Sequence, residues 1–186
     1  LVAGDLDANA YQHHPYLDQQ VKDRGYKLVA AANTVVLPIA LYSKKVKSLA
    51  DLPQGAQIGL PNDPTNGGRA LLLLQEHGLI KLRASAGIKA TPLDVVENPK
   101  KLKFCELEAA MLPRALDDVD LALINTNYAL EAGLVPTKDA LFIEGADAPY
   151  ANVLVTRSDN KDAPGIKKLV DALHSPEVKT FIQEKY

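Results

Sequence analysis

Seven short apolar runs, several of them followed by a helical pattern, set the frame for what this chain can become. They are YKLVAAA, VVLPIALY, AQIGL, LKFCELE, VDLALIN, ALFIE and ANVLVTR. Runs of that length, rich in Val, Ile and Leu and bounded by turn residues, read as buried strands. Their alternation with helices predicts an α/β protein. The closing segment supplies the clearest helices. Ile166, Leu169, Val170 and Leu173 fall at i, i+3, i+4 and i+7, and Ser175 followed by Pro176 makes an N-cap and first-turn pair for a last helix carrying Val178, Phe181 and Ile182. Both helices are expected to dock on a sheet through those faces.

Turn-rich breaks at residues 45 to 54 and 133 to 139 divide the chain. They predict one lobe from residues 1–44 and 138–186 and a second from residues 45–137. In open α/β sheets ligands lie at the carboxyl ends of strands, and in two-lobed proteins between the lobes, so the site is expected in an interlobe cleft. With 186 residues, 47% of them hydrophobic, the chain can bury a real core. Its 21 basic and 23 acidic residues include no long basic run, which argues against nucleic acid as a partner. The most apolar window, residues 26 to 42, is interrupted by Lys27, Asn33, Thr34 and Pro38 and reads as two buried strands, not a membrane span. Cys105 is the only cysteine, which excludes an internal disulfide, and its place in an apparent strand predicts a buried structural thiol. The opening LVAGDLDANAY reads as the end of a helix entering a strand, so a preceding segment is expected outside this chain.

Three stretches hold candidate chemistry. PNDPTNGGRALLLLQEHGL packs turn residues into a loop that predicts positive φ at its glycines, a helix from Ala70 to His77, an N-cap at Thr65 or Asn66 and a stop at Gly78. Arg69 would sit in the first turn, where its fork and the free helix N–H groups could share an anion. The alternative is a capped βα connection with a solvated Arg. In DLDANAYQHHPYLDQQ, Tyr11, His13 and Tyr16 put two aromatics and an imidazole in one short turn, which suits a small apolar or thioether side chain. Surface histidines beside core tyrosines are the other reading. In VDLALINTNYALEAG, Asn125 ends a strand and can accept from an ammonium or donate to a carboxylate, or can simply cap the next helix.

No G-x-S-x-G, H-E-x-x-H, Walker A or G-x-G-x-x-G signature is present. Asp5 and Asp7 read as loop caps. Adjacent His13 and His14 point apart, and His77 and His174 lie in unrelated helices, so neither a metal nor a cofactor is expected. The residues thus predict a two-lobed α/β protein whose anion site, two Asn and aromatic turn fit an amino acid better than a phosphate. An enzyme on the same fold, a transferase holding phosphate at the helix terminus, would need a nucleophile or base that these stretches do not offer.

GDLDANAYQHHPYLDQQ, LYSKKVKSLADLPQGAQIGLPNDPTNGGRALLLLQ, LDVVENPKKLKFCELEAA, LPRALDDVDLALINTNYA and YANVLVTRSDNKD together resemble the NlpA lipoprotein family, MetQ-type methionine-binding proteins of ABC importers, nearly end to end. The resemblance implies a type II periplasmic-binding-protein fold whose opening βαβ unit is missing here. It implies capture of methionine in the interlobe cleft and delivery to a membrane permease driven by an ATPase subunit. The location implied is periplasmic or otherwise extracytoplasmic, on a lipid anchor outside this chain. Tyr11, His13, Tyr16, Asn66, Arg69 and Asn125 are the implied ligand-binding residues, with Arg69 on the α-carboxylate, Asn125 on the ammonium or carboxylate and the tyrosines on the thioether chain. Ligands within the same role include D-methionine, another apolar amino acid or a methionine-containing dipeptide, and a sensor domain binding the same ligand is a further reading. Met111 stands where the family usually has Gln, and Val35 and Leu37 stand near positions where some members have aromatics, which would retune the pocket.

Overall fold

In this computed structural model, which describes residues 1–145 and 147–185, the apolar runs become the strands of two principal sheets. The first half of the chain forms β1 (Ala8–Asn9), α1 (His14–Arg24), β2 (Leu28–Val36), β3 (Ile39–Tyr42), β4 (Gln57–Pro61), α2 (Pro64–Glu76), β5 (Lys81–Leu82) and β6 (Val95–Glu97). The second half forms β7 (Lys103–Leu107), α3 (Leu112–Ala115), β8 (Leu121–Asn125), α4 (Thr126–Glu131), α5 (Pro136–Asp139), β9 (Ala140–Ile143), β10 (Ala151–Arg157), α6 (Pro164–Leu173) and α7 (Pro176–Lys185). β2 runs through Val36, further than the sequence reading placed it. The break before β3 falls at Pro38, which has no N–H to give to a ladder.

The chain divides into two compact units, Leu1–Val36 with Asp147–Tyr186, and Leu37–Ala146. The sequence reading put these boundaries at 44/45 and 137/138. They lie instead at 36/37 and 146/147 because β3 and β9 pair with each other, and β3 with β8, inside the second unit.

The second unit holds a five-stranded sheet in the order β7-β4-β8-β3-β9. β4 runs parallel to β7 and β8, and β3 antiparallel to β8 and β9. Because side chains alternate along a strand, a continuous apolar run furnishes both faces. Ile39, Leu41, Ile58, Leu60, Leu121 and Leu123 pack with Ala70, Leu71 and Leu74 of α2. Ala40, Tyr42, Ala122 and Ile124 pack on the other side with Leu112, Leu116 and Ala129. Each fully buried Leu or Ile contributes on the order of 1.5 to 3 kcal/mol. Cys105 lies half-buried on the edge strand β7.

The first unit is a three-stranded antiparallel sheet, β1-β10-β2, whose core joins Leu17 of α1 to Val153 and Val155. The residues before β1 form turns, not the end of a helix. Ser175 caps α7 as expected, its Oγ accepting from the Val178 N–H at 3.4 Å. Only Ile166 of the two closing helices' described apolar residues is fully buried, while Leu169 and Phe181 are exposed. The docking face is therefore narrower than the spacing suggested.

Candidate ligand-binding residues in each unit

The N-terminus of α2 is built differently from the expected loop. Asp63, not Thr65 or Asn66, is the N-cap: its Oδ1 accepts from the backbone N–H of Thr65 at 3.2 Å and of Asn66 at 2.9 Å. Pro64 follows at the first helical position, where its fixed φ suits the helix and its missing N–H costs nothing. The helix thus starts at Pro64 and not at Ala70, and Arg69 lies in its second turn. Gly67 and Gly68 are helical, with no positive φ. Their small size is what the packing needs. A Cβ on Gly67 would lie 2.8 Å from the carbonyl oxygen of Pro61, and one on Gly68 would strike the carbonyl oxygen of Ile88. Gly78, at φ +70°, ends the segment as anticipated.

Arg69 is 2% exposed, which rules out the solvated reading. Its Nε donates to Glu144 Oε1 at 2.8 Å, and Nη2 donates to Glu144 Oε2 and to the Leu37 carbonyl, the latter at 3.0 Å. Glu144 is itself buried and also accepts from the Ile39 N–H at 3.3 Å. A fork-on-carboxylate geometry of this kind is what offsets the desolvation of two charges. The sequence reading missed Glu144. Its one signal was a carboxylate closing ALFIE, at the carboxyl end of a strand.

Asn66 turns this ion pair into a network. Its Nδ2 donates to Asp63 Oδ2 at 3.0 Å, while its Oδ1 accepts from Asn125 Nδ2 at 3.1 Å and from Arg69 Nη1 at 3.5 Å. Asn125 occupies the N-cap position of α4, yet its side chain makes no capping bond. The capping alternative is therefore not realised. With its Nδ2 committed to Asn66, Asn125 keeps a buried Oδ1 that has no hydrogen-bond partner among the described residues. A buried acceptor without a donor is costly, on the order of 1 to 3 kcal/mol. The network it belongs to holds two carboxylates, Asp63 and Glu144, against one guanidinium, so a cationic donor such as an ammonium suits this acceptor.

In the first unit, His13 caps α1: its Nδ1 accepts from the Tyr16 N–H at 3.1 Å. That bond leaves the proton of the neutral imidazole on Nε2. His13 is buried, not a surface residue, and lies edge-on to Tyr150 at 5.2 Å and to Tyr16 at 6.3 Å. Tyr11 is exposed, its ring 6.2 Å from that of Tyr16. Tyr150, which no motif pointed to, is buried. His14, by contrast, is spent at the surface on Asn33 Oδ1 at 2.8 Å. His77 stacks on Phe142, and His174 Nε2 donates to the Asn33 carbonyl at 2.7 Å. Among the described residues no three His, Cys, Asp or Glu side chains converge as metal ligands. Of the positions expected to retune a pocket, Leu37 meets Arg69 through its backbone carbonyl and Met111 is about half exposed.

The family model described as NlpA lipoprotein matches residues 1–186. The D-methionine-binding lipoprotein MetQ of Escherichia coli K12 is 62% identical over 180 residues, covering 96% of this chain. The chain spans 66% of that relative's length. A nutrient-binding protein from Burkholderia cenocepacia, solved bound to methionine, superposes with a TM-score of 0.98 at 61% identity, covering 100% of this chain and 78% of the other. An ABC transporter periplasmic substrate-binding protein from Coxiella burnetii gives a TM-score of 0.97 at 53% identity, with the same coverage.

Proposed function

Because the chain belongs to the NlpA lipoprotein family, we propose that it is the substrate-binding component of an ABC importer and that its ligand is methionine. The observation within this chain that carries the reading is the buried, unmatched Oδ1 of Asn125. It is an acceptor waiting for a donor, and the α-ammonium of an amino acid supplies one with a full charge. Arg69 and Asn66 take the α-carboxylate, with Glu144 holding the guanidinium plane in place. His13 lies beside the ligand, and Tyr11, Tyr16 and Tyr150 supply aromatic surface for the thioether chain. The ligand is bound and released unchanged, with no catalytic step. Outside the cytoplasm it passes to a membrane permease powered by an ATPase subunit, the whole protein being held to the membrane by a lipid anchor.

A second reading, D-methionine as the ligand, is favoured by the name of the E. coli relative. One experiment addresses both. The purified protein is denatured, and the released small molecule is identified by mass spectrometry with chiral separation. Methionine in stoichiometric amount supports the role, and its stereochemistry chooses between the two ligands. A different amino acid or a dipeptide overturns methionine. Calorimetry on Asn125→Ala then tests the site: loss of a hydrogen bond to a charged group predicts affinity lower by roughly 10- to 150-fold. Wild-type affinity would remove Asn125 from it.

A further inference from the structure

Charge is spread unevenly along this chain. Residues 81–103 hold six cations, Lys81, Arg83, Lys89, Lys100, Lys101 and Lys103, against two carboxylates, Asp94 and Glu97. Six of 21 basic and two of 23 acidic residues are thus concentrated in a segment of net +4, inside a chain of net −2. The same segment exposes large apolar side chains: Leu93 is 87% exposed, Val96 56% and Ile88 41%.

These side chains are presented by an ordered scaffold. β5 and β6 pair antiparallel, with Leu82 buried, Val95 packed on the core and Val96 turned outward by strand alternation. The Arg83 N–H donates to the Asp94 carbonyl at 2.8 Å. Asp94 Oδ2 in turn accepts from the N–H and the hydroxyl of Thr91, both at 2.9 Å, which ties off the turn carrying Leu93. The Ile88 carbonyl is seated over Gly68 of α2. Lys81 and Arg83 are offset by Glu97 and Asp94. Lys89, Lys101 and Lys103 make no ion pair with the described residues.

We propose that residues 81–103 form a peripheral membrane-contact surface that lies on a bilayer carrying anionic headgroups. Charge complementarity selects the partner. An acidic protein surface would match the lysines, and an anionic lipid interface adds an apolar phase for Leu93 and Val96 to enter. A lipid interface accepts both at once, since apolar tips enter the boundary between headgroup and acyl chain while ammonium groups stay among the phosphates. Such contact is reversible and weakens with salt, because the electrostatic part decays within a Debye length. It depends on neither ligand nor lipid anchor.

The test is cosedimentation of this chain with vesicles of equal parts phosphatidylglycerol and phosphatidylcholine, compared with phosphatidylcholine alone. Binding to the anionic vesicles is expected to be about tenfold stronger and to fall as salt rises. The double variant Leu93→Asp, Val96→Asp should lower it at least about fivefold, and Lys89→Glu with Lys101→Glu should do the same. Phe181→Asp, an equally drastic change at an exposed site in the first unit, should leave it unaltered. Thermal midpoints of all variants near wild type would show that folding is intact. Equal binding to neutral vesicles, no binding to either, or an equal loss in Phe181→Asp would overturn the proposal.

Discussion

Arg69 and Glu144 show how much one pair of residues can commit a fold to. Both are buried, so removing one partner leaves an unmatched charge in the interior. Glu144→Ala should therefore destabilise the chain by about 3 to 5 kcal/mol, read as a lower urea midpoint at unchanged slope. Tyr42 presents the opposite case. Its hydroxyl is buried with no hydrogen-bond partner among the described residues. Burial first, and Asp139 second, push its pKa up from 10 to about 12. Tyr42→Phe removes only that hydroxyl and should be neutral or stabilising by up to about 1 kcal/mol in urea unfolding. The pH dependence follows in sign. Above pH 10 the unfolded tyrosine loses its proton while the folded one keeps it, so stability falls by about 1.4 kcal/mol per pH unit up to about pH 12. The same titration on Tyr42→Phe should lack this component.

At the scale of the element, α2 depends on a cap and on two missing side chains. Asp63→Ala removes the acceptor for two backbone N–H groups and should cost about 0.5 to 2 kcal/mol. Gly68→Ala would improve intrinsic helix propensity, yet its Cβ would meet the Ile88 backbone, which cannot rotate away. The expected result is a net loss of about 1 to 3 kcal/mol by thermal or denaturant unfolding. The start of this helix was written in the sequence, since Asp63 and Pro64 form the same cap-and-proline pair that Ser175 and Pro176 form for α7. Gly67 and Gly68 obscured it. Read locally, a glycine pair signals a turn, and only the neighbouring backbone explains its place inside a helix.

The whole molecule divides into units with different chain economies. The second is one continuous segment and contains both of its apolar clusters. Residues 37–145 expressed alone should give a cooperative thermal transition by circular dichroism. Residues 1–36 alone should not, because β2 pairs with β10 from the far end of the chain.

What the sequence determined by itself was local: the seven strand runs, the Ser175 and Pro176 cap, the Gly78 stop, and the residue types of His13, Asn66, Arg69 and Asn125. These follow from patterns spanning a few neighbouring residues, in which burial period and capping chemistry are encoded directly. Tertiary structure alone decided their partners. β9 pairs with β3 so that Ile143 opposes Ala40, and the next residue, Glu144, then bonds to Ile39 beside Arg69 of α2. Asn125 gives its Nδ2 to Asn66, and its Oδ1 is an open acceptor, not a cap. Tyr150 came to lie against His13 through the sheet pairing of the first unit. Strand register and chain closure set these contacts across long sequence separations, and no short-range pattern carries that information.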